Sequence, residues 1–261
     1  MLERHQMLRH AGLSRGLRVL EVGSGGHAIT TVPLALEVGS EGKVVAVERS
    51  RWGIFQDVVD ASGLAERVRP LKADALALPL RHDSHDLAVC AHGIRSLESL
   101  ENMVAVFREM LRVAPRVLVA ESLPLAQNDA QRAHLETYNL REEIFEAATG
   151  RKDDLHYLPL ETLEGLVRKA GGEVERAETL EVDLPHALAY LPRDALSSIS
   201  DRPKRERLLV RWEKAREMGE RFGTDHPPVG LVLARRKAAE RGAASGRPGR
   251  HAAGTERPHH R

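Results

Sequence analysis

The sequence contains very little cysteine, few aromatic residues and no long apolar run. Cys90 is the single cysteine among 261 residues, which excludes a disulfide framework and a structural zinc site built from several thiolates. No stretch approaches the roughly 18 apolar residues of a membrane span. The charged start, Met1 to His5, lacks the apolar segment of a signal peptide. We therefore expect a protein of the reducing cytoplasm that does not enter the membrane.

Charge is unevenly distributed along the chain although the net charge is only +1. Residues 235–261 carry a net charge of +6, which leaves −5 on residues 1–234. A mildly acidic body argues against a nucleic-acid-binding protein that depends on a broad basic surface, although the tail has the charge to contact RNA. After Leu233 the tail has no aliphatic residue larger than alanine. We therefore predict residues 1–237 as the folded domain and residues 238–261 as a disordered basic tail.

Short aliphatic runs alternate with segments of helical period, which predicts an α/β fold with a mostly parallel sheet covered by helices. The predicted strands are Arg18–Val22, Lys43–Glu48, Val68–Lys72, Asp86–Cys90 and Arg116–Glu121. The helices predicted between them are Ala28–Val38, Arg51–Ser62 and Leu97–Leu111. We expect a doubly wound, Rossmann-like sheet in which each strand is followed by a helix.

The alternation changes after Glu121, where helical segments dominate. Residues 124–158 and 183–228 are predicted to form helical cap segments over a substrate site. Between them a helix is predicted over Pro159–Ala170 and a strand over Glu173–Val182, and a charged helix then runs from Pro203 to Phe222. Val229–Ala234 is predicted as a last, antiparallel strand, which brings the sheet to about seven strands.

The most informative stretch is a glycine-rich turn between the first predicted strand and the first predicted helix. It reads Glu21-Val22-Gly23-Ser24-Gly25. Glycines at such a turn allow a ligand to approach the backbone closely, and the helix that follows offers unpaired N–H donors. The spacing also satisfies a dinucleotide fingerprint, so the turn alone indicates only a nucleotide-like ligand.

Glu21 distinguishes between the two ligand classes. A carboxylate gains nothing beside the pyrophosphate of a dinucleotide, whereas it can bind a ligand that has an ammonium group and no phosphate. S-adenosylmethionine is such a ligand. The alternative of an NAD-dependent oxidoreductase is further disfavoured because no downstream catalytic Tyr-Lys arrangement is visible.

These motifs resemble those of the class I S-adenosylmethionine-dependent methyltransferases, over roughly residues 15–125. The run from Asp74 to Leu80, followed by Asp86 to Cys90, is similar to the small-molecule branch that includes quinone-pathway methyltransferases. The resemblance implies that Glu48 binds the ribose hydroxyls and Asp74 the adenine amino group. The full set of implied cofactor-binding residues is Glu21, Gly23, Ser24, Gly25, Glu48, Arg49, Asp74, Ala75 and Ala91.

Two positions depart from the family pattern. His27 stands where the family often has a third glycine, so we expect the contact of the turn with the methionine moiety to differ in detail. Arg49 stands where an apolar residue often packs beside the adenine.

Acceptor-side residues are expected beyond the fourth predicted strand, because ligands of open parallel sheets bind at the carboxyl ends of the strands. His92 is a candidate general base near neutral pH, and Arg95 a candidate binder of an anionic acceptor. The alternative is structural, with the histidine bonded to backbone and the arginine covering the sheet edge. We predict methyl transfer to a hydroxyl or an acidic carbon of a small molecule, reached through a cap around Tyr138.

Other functions remain as alternatives at this stage. The Asp/Asn-Pro-Pro-aromatic tetrapeptide of many amino-group methyltransferases is absent, which disfavours methylation of adenine or glutamine amides. Methylation of RNA or protein, and cofactor binding without catalysis, stay open. No carboxylate cluster of the kind that holds a hard cation is visible, so we expect no metal.

Overall fold

A computed structural model describes residues 2–50, 52–151, 157–181 and 193–238 of the chain. The strands are β1 (Arg18–Val22), β2 (Lys43–Glu48), β3 (Val68–Lys72), β4 (Leu87–Ala91), β5 (Arg116–Ser122), β6 (Gly172–Leu180) and β7 (Val229–Arg236). The helices are α1 (Leu2–Arg9), α2 (Thr31–Glu37), α3 (Phe55–Ala61), α4 (Leu100–Val113), α5 (Asp129–Thr149), α6 (Leu160–Lys169), α7 (Arg193–Ser197) and α8 (Arg202–Phe222).

The strands form one seven-stranded sheet in the order β3-β2-β1-β4-β5-β7-β6. β1 to β5 are mutually parallel, and β7 pairs antiparallel with both β5 and β6. The predicted doubly wound sheet with an antiparallel last strand is therefore confirmed. The order reverses at β1, so the loops after β1 and β4 leave the sheet side by side. This is the position at which open parallel sheets bind ligands.

Apolar side chains on both faces of the sheet bury it between two helical layers. Along β1, Val19 packs with the cluster under α1, α2 and α3, whereas Leu20 packs with the cluster under α4 and α6. The alternation follows from the two-residue period of a strand. The central strands are thus buried on both faces, which leaves the loops at their ends as the accessible part.

Several predicted boundaries were wrong for local reasons. α2 begins at Thr31 rather than Ala28, because Ala28 has a positive φ of 50° that no α-helix accommodates. α3 begins at Phe55, after Gly53 with a φ of +42°. α4 begins at Leu100 and not at Leu97, because the Ser99 hydroxyl caps it by accepting the N–H of Asn102.

Three further differences concern the ends of elements and a helix that the pattern did not predict. β4 is shifted by one residue from the prediction, and just before it the Asp86 carboxylate accepts hydrogen bonds from the backbone and guanidinium of Arg18. β5 and β7 continue one and two residues past their predicted ends. α1 was not predicted, because its low apolar content gives no helical stripe.

The segments predicted as a cap contain α5, α7 and α8, which pack together around a small apolar cluster of their own. Leu140 and Ile144 of α5 contact Leu196 of α7 and Leu208 of α8 in that cluster. Arg211 of α8 adds ion pairs to carboxylates of α5.

Within the two predicted cap segments, residues 152–156 and 183–192 lie outside the described residues, as do residues 239–261 of the predicted tail. None of the described helices is long and apolar enough to span a bilayer.

Candidate active site

The glycine turn after β1 lies against the ends of two neighbouring strands. Gly23 and Ser24 donate their backbone N–H groups to the Val47 carbonyl at 2.9 and 3.1 Å. Gly23 has a φ of +76°, and a Cβ at this position would lie 3.3 Å from the Cα of Gly93. Gly25 also has a positive φ, of 64°. Glycine at position 23 therefore allows the loops after β1 and β4 to approach each other.

Glu21 is buried directly below this turn. Its Oε2 accepts a hydrogen bond from the Thr31 hydroxyl at 2.5 Å, at the first residue of α2. Burial raises the pKa of the Glu21 carboxyl to about 7, while the Thr31 bond and the charge of Arg4 oppose the rise. A carboxyl group held near half-ionisation is poised to become fully ionised when a cationic group arrives beside it.

Glu48 connects the end of β2 to the glycine turn through backbone donors. Its Oε1 accepts the N–H groups of Arg49 and Ser50 at 2.9 and 3.1 Å, and its Oε2 accepts that of Gly25 at 3.3 Å. Arg49 contributes through its backbone here, because its side chain is exposed. The structure therefore brings Glu48 next to the glycine turn; its implied contact with a ribose stays a prediction.

The end of β3 lies beside Glu48, because the N–H of Ala73 donates to the Glu48 carbonyl at 3.3 Å. The next residue, Asp74, is exposed and accepts the N–H of Leu76 at 2.9 Å, which forms a turn of the kind that aspartate favours. Ala75 within this turn is half-buried. Asp74 is thus at the same edge of the sheet as Glu48, with one carboxylate oxygen engaged locally.

The donor set of this half of the site fits S-adenosylmethionine. The Ser24 hydroxyl is buried and has no hydrogen-bond partner among the described residues, which is a costly state that a polar ligand would relieve. The buried Glu21 carboxyl suits an ammonium group, and two carboxylates at the ends of β2 and β3 suit hydroxyl and amino groups. The glycine backbone leaves room for close approach.

The loop after β4 begins the second half of the site. Ala91 is buried at the end of β4, and His92 follows with a φ of 53°, a left-handed conformation that residues with side chains rarely adopt. The His92 N–H donates to the Ala120 carbonyl at 2.8 Å, and its Nδ1 lies 3.2 Å from the Ser122 hydroxyl. Backbone strain of this kind is typical of functional sites.

Glu121 at the end of β5 is a buried carboxylate that the sequence analysis did not identify. Its Oε1 accepts the N–H of Ile94 at 2.8 Å, and its Oε2 lies 4.0 Å from both His92 Nδ1 and Arg95 Nε. Burial raises its pKa to about 7, and the nearby Arg95 charge is the largest opposing influence. His92 and Arg95, predicted from the loop alone, are therefore brought together around one carboxylate.

Aromatic rings from α5 and from two distant segments lie beside this loop. The His92 ring meets the His226 ring edge-on at 5.9 Å between centroids, and His226 lies 5.8 Å from His134 of α5. Tyr138 of α5 stacks near His134 at 6.5 Å and meets Tyr157 edge-on at 5.1 Å. The result is a group of rings next to His92.

Two arginines face the tyrosines of this group. The Arg95 guanidinium lies 5.6 Å from the centre of the Tyr157 ring, and that of Arg141 lies 4.6 Å from the centre of Tyr138. Burial is the main cause that raises the pKa of Tyr157 far above its ordinary value, so its hydroxyl stays protonated. Cations above aromatic faces are attracted by the ring quadrupole, and here they add positive charge to a half-buried site.

The position of His226 depends on tertiary contacts. Gln131 of α5 is buried and donates its side-chain amide to the His226 carbonyl at 3.2 Å. The Leu123 N–H donates to the Pro228 carbonyl at 2.8 Å, which holds the segment before β7 against the end of β5.

In the described ranges, no group of three or more His, Cys, Asp or Glu side chains is arranged to hold a metal ion.

Sequence reasoning missed four residues of the second half for two different reasons. Glu121 was identifiable in principle, because the rule that directs attention past β4 applies equally to the end of β5. His134, Tyr157 and His226 had no such signal, since they come from a helix, a loop and a Pro-rich approach to β7. The structure alone brings them to His92.

Comparison with known proteins gives consistent matches. The ubiE/COQ5 methyltransferase family matches residues 2–139. A ubiquinone/menaquinone biosynthesis C-methyltransferase UbiE from Idiomarina loihiensis is 26% identical over 174 residues, covering 62% of this chain and 69% of the relative.

Solved structures match over most of the chain at low sequence identity. A cyclopropane-fatty-acyl-phospholipid synthase-like protein from Lactobacillus casei has a TM-score of 0.66 at 18% identity, covering 89% of each chain. A SAM-dependent methyltransferase from Aquifex aeolicus has a TM-score of 0.53 at 18% identity, covering 89% of this chain and 88% of the other. These likenesses establish the fold.

Proposed function

This chain belongs to the ubiE/COQ5 methyltransferase family and is an S-adenosylmethionine-dependent methyltransferase; on that premise we propose that it methylates a ring carbon of a small hydroquinone-like acceptor. The observation that carries the proposal is the group of rings beside His92 and Arg95 at the end of β4. A flat, electron-rich acceptor can stack on such rings, and its hydroxyl can face a histidine and an arginine. The UbiE relative is named as a C-methyltransferase, which supports carbon over oxygen.

The cofactor half of the proposed site consists of the turn after β1 and the ends of β2, β3 and β4. We assign cofactor binding to Glu21, Gly23, Ser24, Gly25, Glu48, Arg49, Asp74, Ala75 and Ala91. When bound, the cofactor supplies a methyl group on a sulfonium, which is already an activated donor. Glu21 balances its ammonium charge, and the glycine backbone sets its distance from the loop after β4.

His92 and Arg95 prepare the acceptor in this proposal. His92 removes the proton of the acceptor hydroxyl, which raises the electron density at the neighbouring ring carbon. Once the methyl group has moved from the sulfonium to that carbon, the ring C–H proton leaves to solvent and His92 returns its proton to the acceptor oxygen, so that one proton is released in total. Arg95 stabilises the resulting oxyanion by charge and hydrogen bonding. No metal is required for either role.

The cap segments complete the acceptor half. Within the described residues, α5 presents His134 and Tyr138 on one face, four residues apart, while its neighbouring face packs against α8. The proposed function of this cover is to exclude water and to select the acceptor. We also place the enzyme in the cytoplasm, where its buried thiol Cys90 would remain reduced.

The test is methyl transfer from labelled cofactor into a hydroquinone that has an unsubstituted ring carbon beside a hydroxyl. His92→Ala should lower kcat by about 10²–10⁴-fold while cofactor affinity changes by only a few-fold, because a general base acts in the transition state. His82→Ala is the matched control, since His82 is exposed and precedes β4 at the opposite edge of the sheet. A product methylated on oxygen, or label found only in RNA or protein, would contradict the proposal.

A further inference from the structure

Glu121 is a fully buried carboxylate whose two oxygens have different surroundings. Oε1 accepts the Ile94 N–H at 2.8 Å and so fixes the loop that carries His92 and Arg95. Oε2 has no partner at hydrogen-bond geometry within the described part of the chain, although the backbone N–H of Arg95 is close enough to lower the carboxyl pKa; Oε2 lies 4.0 Å from His92 Nδ1 and from Arg95 Nε. The second oxygen therefore faces the two side chains to which the proposed function assigns the acceptor.

A purely structural role does not explain this arrangement. Burying a carboxylate with one unsatisfied oxygen destabilises the fold, and a neutral amide could accept the Ile94 bond equally well. Costs of this kind are tolerated mainly where the charge has a function. The charge of Glu121 is therefore the feature that requires an explanation.

We propose that Glu121 is a positioning residue of the methyl transfer that acts through His92. Its charge orients the imidazole with Nδ1–H toward Ser122 and Glu121, and stabilises the imidazolium that forms when His92 accepts a proton. The inference rests on the proposed function in one respect, namely that His92 is the base. Glu121 itself does not contact the acceptor in this proposal.

The proton step balances within these groups. The O–H bond of the acceptor hydroxyl breaks, and a new N–H bond forms at Nε2 of His92, on the far side of the ring from Glu121. The imidazole gains one positive charge next to the negative charge of Glu121, while the acceptor gains the negative charge beside Arg95. In a buried site each of these pairings is worth more than in water.

Several other groups surround the pair and contribute to its titration. Arg4 of α1 and Arg95 favour the ionised form of Glu121, and the thiol of Cys90 in β4 is a further neighbour, with its own pKa raised by burial. On the other side, His226 contacts His92, and His134 contacts His226. Because the groups interact, the carboxyl and the imidazole are expected to titrate as a coupled pair.

The experiment is a titration of ligand-free, full-length protein labelled at histidine, followed by NMR. In Glu121→Gln the pKa of His92 should fall by about one pH unit or more, because the imidazolium loses the buried carboxylate that lies 4.0 Å from its Nδ1. Cofactor affinity should stay within a few-fold, while kcat should fall by about 10–100-fold. The Ile94 N–H should keep its protection from exchange, because glutamine can still accept its hydrogen bond.

Glu109→Gln is the matched control. Glu109 also accepts a backbone N–H, that of Leu78 at 2.9 Å, and also pairs with an arginine, Arg112. It lies on α4 and has no contact with His92 among the described interactions. Its substitution should leave the titration of His92 unchanged.

Two outcomes would overturn the inference, and they are distinguishable from failure of the proposed function. An unchanged His92 pKa in Glu121→Gln overturns it directly. An unchanged kcat in Glu121→Gln, with a large loss in His92→Ala, also overturns it and leaves the proposed function intact. Unchanged kcat in both variants means that His92 is not the base. If Glu121→Gln failed to fold, wild-type protein with ¹³C-labelled carboxyl groups would still decide. In a coupled pair, the NMR titration curve of Glu121 and that of His92 must each show two inflections, one at the pKa of each group. A single inflection in each curve would overturn the inference.

Discussion

The two halves of the site use different parts of the polypeptide. At the ends of β1, β2 and β3, the structure relies on backbone: two positive-φ glycines, and backbone N–H groups that donate to the Glu48 carboxylate. At the ends of β4 and β5, it relies on side chains from distant segments, such as His92, Tyr157 and His226. The backbone half suits one invariant ligand, and the side-chain half can be varied without disturbing it.

The same contrast appears in two buried carboxylates at equivalent strand ends. Glu21 and Glu121 are each 2% exposed, and burial raises the pKa of each to about 7. Glu21 is hydrogen-bonded by the Thr31 hydroxyl, whereas the second oxygen of Glu121 faces a histidine and an arginine. The two carboxylates are equally buried but have different neighbours, and for this reason we propose a ligand-binding role for Glu21 and a positioning role for Glu121.

The largest expected effect comes from adding a single methyl group to the backbone half. Gly23→Ala should reduce cofactor affinity by about 3 kcal/mol, more than about a hundredfold, because the turn must shift away from Gly93. The unfolding free energy should also fall by about 1–2 kcal/mol, the cost of a left-handed residue with a Cβ. Calorimetry and urea unfolding measure the two quantities.

Gly63→Ala is the control for that variant. Gly63 has a φ of +66°, and a Cβ there would meet nothing within 4 Å. The Gly63→Ala variant should therefore lose a similar amount of unfolding free energy and keep the cofactor affinity of the wild type. Equal loss of affinity in both variants would mean that strain, and not the shape of the turn, explains the effect.

A second pair of variants separates backbone from side-chain contributions at the end of β2. Glu48→Ala should weaken cofactor binding by about 1–3 kcal/mol, because it leaves backbone donors unsatisfied as well as removing the proposed ribose contact. Arg49→Ala should change affinity less than about twofold, since the Arg49 side chain is exposed and only its N–H reaches Glu48. If Arg49→Ala weakened binding as strongly, the adjacent pocket wall would depend on its side chain.

A third effect concerns the stability of the fold and not cofactor binding. Because the pKa of Glu21 is raised in the folded protein, the folded state binds this proton more tightly than the unfolded state does. The resulting contribution to the free energy of unfolding is fully present below about pH 4.5 and is lost as the pH rises through about 7. Glu21→Gln should therefore raise the unfolding free energy by about 2–3 kcal/mol at pH 8 and leave it nearly unchanged at pH 4.5. Thermal unfolding at the two pH values measures the difference.

Glu121→Gln should show the same gain in stability, and comparing the two variants sharpens the contrast between the halves. Glu21→Gln should weaken cofactor binding without altering the titration of His92, and Glu121→Gln should do the reverse. A wild-type stability that does not fall between pH 4.5 and 7 would show that both carboxylates ionise without a penalty.

Much of the fold followed from local pattern. The bounds of β1, β2 and β3 match the predicted ones, because buried parallel strands read as short aliphatic runs that end at turns. Helix starts were less predictable: α2 and α3 begin late because the backbone at Ala28 and Gly53 has positive φ values, which apolar periodicity does not reveal.

The sequence by itself determined the sheet, the glycine turn and the positions of Glu21, Glu48 and Asp74, because each lies within a few residues of a strand end. Only the tertiary structure decided that Glu121 lies between His92 and Arg95 and that His226 reaches His92. The physical reason is that strand pairing brings together segments far apart in the chain: antiparallel β7 brings residue 226 to the end of β5. No local pattern in the sequence encodes that distance.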